Sequence, residues 1–64
     1  MLGSNLRKYR QLRGLSMEKL ANMIDVNLSQ ISRWELGLVS PRVSSIFDIA
    51  EVLDVEVSKF FEED

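Results

Sequence analysis

The stretch SMEKLANMIDVNLSQISRWELG, residues 16–37, constrains the fold of this chain more than any other. Ser16 can accept from the free amides of a first helical turn, the usual role of a serine N-cap. Leu20, Ala21 and Ile24 then recur at helical spacing and mark one buried face. Asp25 and Val26 leave too little chain for anything but a sharp corner. Asn27 is a second N-cap candidate, and the helix it opens carries Ile31 and Trp34 inward until Gly37 stops it. The spacing predicts helices over residues 17–24 and 28–36, the second turning Leu28, Ser29, Ser32 and Arg33 outward.

The rest of the chain must hold that corner with little material. Its 64 residues make one domain, near the lower limit for a fold supported by its own core. It has no Cys and no His, which removes disulfides, Cys/His metal sites and Ser-His or Cys-His nucleophile pairs. Stability therefore rests on apolar packing, and a hydrophobic content of 45% is enough for a compact helical bundle. The apolar runs are too short to span a membrane or to serve as a signal peptide, which points to a cytoplasmic protein. No residue pair offers a nucleophile with an activated base, so an enzyme is not expected, and neither a cofactor nor a metal is implied.

Five helical segments can be read along the chain, with no strand pattern. The first, residues 4–13, has Leu6 and Tyr9 on one face and Gly14 as its C-cap; Leu15 follows as an apolar plug. After the two helices of the corner, Leu38 to Pro41 form a loop in which Pro41 holds Ser40 extended. A fourth helix over residues 43–53 repeats apolar residues at Val43, Ile46, Phe47, Ile49, Ala50 and Leu53, and Asp54 is placed for a left-handed or turn conformation. A short fifth helix near 57–61 leads to the acidic tail Glu62-Glu63-Asp64. Phe60 and Phe61 cannot both be buried in so short a helix. One joins Leu53 and Val55 in the core; the other, with Val57, leaves a patch where two copies could meet, so Val57, Phe60 and Phe61 are the candidate dimer residues.

Net charge is −2 and pI about 5.0, which at first argues against a polyanionic partner. The distribution points the other way: residues 1–42 carry +4 and residues 43–64 carry −6. A cationic front and an anionic back orient a domain in the field of a polyanion.

Two short helices joined at a tight corner make a helix-turn-helix, a motif that sets its second helix in the major groove of double-stranded DNA. The whole chain resembles the Cro and lambdoid phage repressor family of such domains, also called the xenobiotic-response-element family. The matching blocks are LRKYR at 6–10, LSMEKLA at 15–21, VNLSQISRWELG at 26–37, SP at 40–41 and IFDIAEVLDV at 46–55, in order and with the family's spacing. The resemblance implies an all-α, five-helix DNA-binding domain over residues 1–64, commonly a homodimer, acting as a transcriptional repressor or regulator. Two-fold pairing would set two recognition helices one DNA turn apart, roughly 34 Å, on a palindromic site. The family pairs an arginine of the first helix with a glutamate ending the recognition helix, positions that fall on Arg10 and Glu35; an arginine fork could meet that carboxylate bidentately while still facing phosphate.

Two departures stand out. Members usually carry glutamine just after the N-cap of the second helix, where it binds a phosphate; this chain has Met17, leaving only backbone amides for that contact. The loop after the recognition helix is usually basic or polar, yet here it reads Leu36-Gly37-Leu38-Val39. Those apolar side chains either pack on the fourth helix or meet a protein.

Arg33, one helical turn beyond Ser29, is the strongest candidate for base reading, since an arginine there can reach guanine O6 and N7; the rival is a solvated or phosphate-bound side chain. Ser29 and Ser32 can donate to a base edge or a phosphate, or stand idle. Leu28 could touch a thymine methyl, against a dimer contact or a merely tolerated exposed leucine. Phosphate candidates are Ser16, Met17, Asn27, Gln30 and Arg42, with Arg10 and Arg13 from the first helix; Lys19 is more simply solvated. Trp34 is expected as a structural wedge between the third helix and the first. A second function class keeps the fold and changes the partner: a protein-interaction module using Leu36, Leu38 and Val39 together with Leu28 and Met17.

Overall fold

Where the apolar residues recur at helical spacing, the computed structural model, which describes residues 1–63, has four α-helices: α1 (Leu2–Leu12), α2 (Met17–Ile24), α3 (Leu28–Glu35) and α4 (Val43–Leu53). A 3-10 helix over Val57–Phe61 follows, and no strand occurs among the described residues. Asp64, the last member of the acidic tail, lies outside them.

The helix ends follow from local chemistry. Ser16 Oγ accepts from the Lys19 amide at 3.0 Å and opens α2. Asp25 and Asp54 close α2 and α4 in the same way, each in the left-handed region at φ 57° and φ 55°. The next amide then folds back onto the helix, Val26 N–H to Ala21 O and Val55 N–H to Ala50 O, both at 3.0 Å. Aspartate tolerates this conformation better than most side chains, which is why these two corners do without glycine. Gly37, at φ 77°, ends the turn after α3. Asn27 stands at the N-cap of α3, but its side chain makes no capping hydrogen bond.

Three boundaries and one type differ from the sequence expectation, α1 also ending at Leu12 rather than at residue 13. α1 begins two residues early, at Leu2, because the Met1 carbonyl already accepts from the Asn5 amide at 3.0 Å. α3 stops at Glu35 rather than at residue 36. The fifth segment is 3-10 rather than α, so the bundle has four α-helices and a tighter terminal turn. In that geometry residues three apart eclipse. Val57 therefore shares the inward side of Phe60, and Phe61 does not.

Every element contributes to one core: Leu6, Leu20, Ile31, Ile49, Leu53 and Phe60 are almost wholly buried. Tyr9 meets the Phe60 ring edge-on, centroids 5.8 Å apart and planes at 87°. Asn5, itself buried, donates from Nδ2 to the carbonyls of Phe60 (2.8 Å) and Glu62 (2.7 Å), so α1 holds the chain end by backbone as well as by packing. The apolar repeat of α4 divides: Ile46, Ile49, Ala50 and Leu53 face the core, while Val43 and Phe47 are exposed. At the same end of α1, Gly3 passes so close to α3 that a Cβ there would lie 2.5 Å from Trp34 O and 2.6 Å from Glu35 O.

Candidate nucleic-acid interface

α3 is amphipathic across a single turn. Ile31 and Trp34 are buried, and Leu28, Ser29, Gln30 and Arg33 are exposed, with Ser32 between the two states. Arg33 follows Ser29 by four residues, so both occupy the same outer stripe. The inner stripe fixes this orientation, because rolling the helix would bring Ile31 into water.

Two surface depressions flank α3. One, of about 230 Å³, is lined by Arg7, Arg10, Met17, Ser32, Glu35 and Leu36. The other, of about 360 Å³, gathers Gln30, Arg42, Ser40, Ser44 and Ser45 beside Trp34. The fold thus brings Met17 and Ser32 together on one side and Gln30 and Arg42 on the other. Arg7, Ser40, Ser44 and Ser45 join them; Arg7 and Ser40 fall within the LRKYR and SP blocks, though neither is a site candidate there, and Ser44 and Ser45 fall in none. Arg7 could have been found there, since it precedes Arg10 by one turn. Ser44 and Ser45 carried no signal beyond lying at the start of α4. Ser16 uses its oxygen as the α2 cap and, as a hydroxyl, keeps one donor.

Arg10 and Glu35 sit between the first depression and the core. Arg10 Nε donates to Glu35 Oε2 at 2.6 Å and its Nη2 to Oε1 at 3.0 Å, a bidentate pair whose side chains are 10% and 6% exposed. Nη1 donates to the Leu15 carbonyl at 2.8 Å. Each of its three nitrogens thus donates once and the residue is buried, so Arg10 acts as an internal tie between α1, α3 and the loop before α2.

Arg13 is engaged as well. Its Nε donates to Leu53 O at 2.6 Å and its Nη2 to Asp54 O at 3.1 Å, which puts its charge on the last carbonyls of α4 instead of on the α2–α3 side.

The candidate dimer patch shrinks for a similar reason. Phe60 is fully buried, Val57 packs against the core, and only Phe61 remains an exposed aromatic there, at 56%. The loop residues Leu36, Leu38 and Val39 do not bury themselves on α4; all three are exposed. Trp34 is buried and lines the depression beside Ser44 and Ser45, while its carbonyl faces Gly3 of α1.

Two short helices at a closed corner, the second sealed inside and carrying an outward arginine, define a DNA-binding helix-turn-helix module of the kind that regulates transcription. The chain belongs to the helix-turn-helix family HTH_3, the type that includes Cro and the phage repressors: the family model matches residues 6–60.

It is 36% identical over 62 residues to an HTH-type transcriptional regulator of Sinorhizobium medicae, covering 97% of this chain and 45% of that one. The chain thus spans about half the length of the curated relatives it matches. Among solved structures it is similar to SinR of Bacillus subtilis, a master regulator for biofilm formation, in complex with DNA. The TM-score is 0.90 and the identity 30%, over 97% of this chain and 100% of that one. It is also similar to C.AhdI, a restriction-modification controller protein of Aeromonas hydrophila. There the TM-score is 0.88 and the identity 32%, over 94% and 91% of the two chains.

Proposed function

We propose that residues 1–64 are the sequence-specific DNA-binding domain of a transcriptional repressor that binds a palindromic operator as a homodimer, with α3 in the major groove. The observation that carries this reading is the outer stripe of α3, where Arg33 stands exposed one turn beyond Ser29 while Ile31 and Trp34 pin the opposite side. A guanidinium so placed suits guanine O6 and N7, and Leu28, Ser29 and Ser32 supply a methyl contact and two hydroxyls for neighbouring bases. Ser16, the Met17 amide and Asn27 at the helix starts, with Gln30 and Arg42 beside the second depression, set the register on phosphate. That the structurally similar SinR has been solved in complex with DNA supports DNA as the partner. Phe61 is the residue offered for the two-fold contact.

A second reading keeps the fold and assigns the exposed Leu36, Leu38 and Val39, with Leu28, to a protein partner. Selection from a randomised duplex pool at low salt separates the two. Under the first reading the retained sequences share a palindrome containing guanine, with half-sites about one turn apart. Retention that is blind to sequence and vanishes with salt would count against it and favour the second.

A further inference from the structure

Trp34 is only 5% exposed, yet its indole N–H donates to no group among the described residues. No fully buried side-chain nitrogen or oxygen lacks a partner there, so this N–H belongs to the small exposed part of the ring. That part meets the depression of about 360 Å³ between α3 and the start of α4. An indole nitrogen can only donate, and a tryptophan so deeply set usually finds an acceptor. The acceptor has to come from outside the chain.

The surrounding groups select an anion. Arg42 stands at the N-cap of α4 without a side-chain cap, and the amides of Val43, Ser44 and Ser45 find no acceptor among the described residues. The Ser40, Ser44 and Ser45 hydroxyls make no hydrogen bond there, Gln30 and Arg42 add further donors, and no carboxylate lines the depression. We infer that this depression seats one oxyanion, filled in the DNA complex by a single backbone phosphate, with the Trp34 indole N–H as its fixed donor. Its filling by DNA rests on the function proposed above; the donor set rests on the fold alone.

Gln30 and Arg42 are exposed and reach a phosphate through flexible side chains. Trp34 is held by the core, and the same ring pins the inner side of α3. A phosphate bonded to it therefore fixes the depth of α3 against the DNA backbone without reading sequence. The indole is also uncharged. Its contact adds affinity without adding to the salt dependence, whereas that of Arg42 adds to both.

The test uses the full chain labelled with nitrogen-15, whose single tryptophan gives one indole signal. Inorganic phosphate, against chloride at equal ionic strength, should move that signal together with the Ser44 and Ser45 amides. The selected duplex should move it too. One neutral methylphosphonate linkage per half-site should abolish the movement and weaken binding roughly tenfold. Trp34→Phe keeps a ring in the core and removes the N–H. It should weaken binding by a similar factor, leave the slope of log K against log salt unchanged, and lose nothing more at that linkage. Arg42→Ala should instead make the slope shallower by about one. An indole signal unmoved by phosphate and by bound duplex overturns the inference, whether or not Trp34→Phe folds. So does a signal that phosphate moves and bound duplex does not. A phosphate response with no duplex bound would uphold the oxyanion seat and reject the DNA-binding reading.

Discussion

Arg10 in the last turn of α1 and Arg13 at its C-cap lie three residues apart and carry the same charge, yet their surroundings give them unlike tasks. Arg10 is held by both oxygens of a nearly buried Glu35 and by the Leu15 carbonyl, tying α1 to the end of α3 and to the loop before α2. Replacing one partner leaves the other charge buried without its counter-charge, which costs about 3–5 kcal/mol. Glu35→Gln is expected to approach the lower end of that range, read as a lowered urea midpoint with an unchanged m-value. An unchanged midpoint would show that the pair does not hold the helices. Arg13→Ala removes a cation and two hydrogen bonds from the end of α4 and is expected to cost about 1–2 kcal/mol in stability. Its DNA affinity should match the parent; a salt-dependent loss of affinity would return Arg13 to the phosphate contacts. The Arg10–Glu35 spacing was legible in the sequence because a family motif fixes both positions. The Arg13 cap was not: its acceptors lie 40 and 41 residues away, and only the packing of α1 beside the α4 terminus brings them within reach.

Elements meet here through backbone as much as through side chains. Gly3 lets α1 cross the last turn of α3 at a distance no Cβ permits, because the obstacles are the carbonyls of Trp34 and Glu35. Gly3→Ala is accordingly expected to lower stability by about 1–3 kcal/mol, although alanine is the better helix former and would gain if the site were open. A rise in the thermal midpoint would contradict that crossing. Helices α1 to α4 could be placed from apolar spacing and caps, since those signals act within one turn. The terminal segment resisted the same treatment. Its 3-10 form depends on Phe60 entering the core and on Asn5 gripping the carbonyls of Phe60 and Glu62, contacts that span the length of the chain. Periodicity alone left Phe60 and Phe61 equivalent; burial resolves them, with Phe60 inside and Phe61 out.

At the scale of the molecule, charge is divided as the elements are, +4 over residues 1–42 and −6 over residues 43–64. The positive share facing DNA is smaller than the sequence suggests, because Arg10 and Arg13 are engaged internally. Of the proposed phosphate contacts only Arg42 is cationic, so the slope of log K against log salt is expected to be shallow, about −1 to −2 per protomer. A slope near about −5 would mean that Arg7, Lys8 and Lys19 also lie on phosphate. Tight operator binding then depends on two copies acting together, which is the reason a palindrome is expected.

Sequence reading by this domain turns on Arg33. The direct measurement is the affinity of the parent chain and of Arg33→Ala for the selected site and for sites with each guanine replaced in turn, alongside the melting temperature of both proteins. Arg33→Ala should melt with the parent, lose about 1–3 kcal/mol on the selected site, and become indifferent to one guanine that the parent requires. A variant that still requires every guanine, or that weakens equally on all sequences, would contradict base reading by Arg33 and reduce it to a phosphate contact.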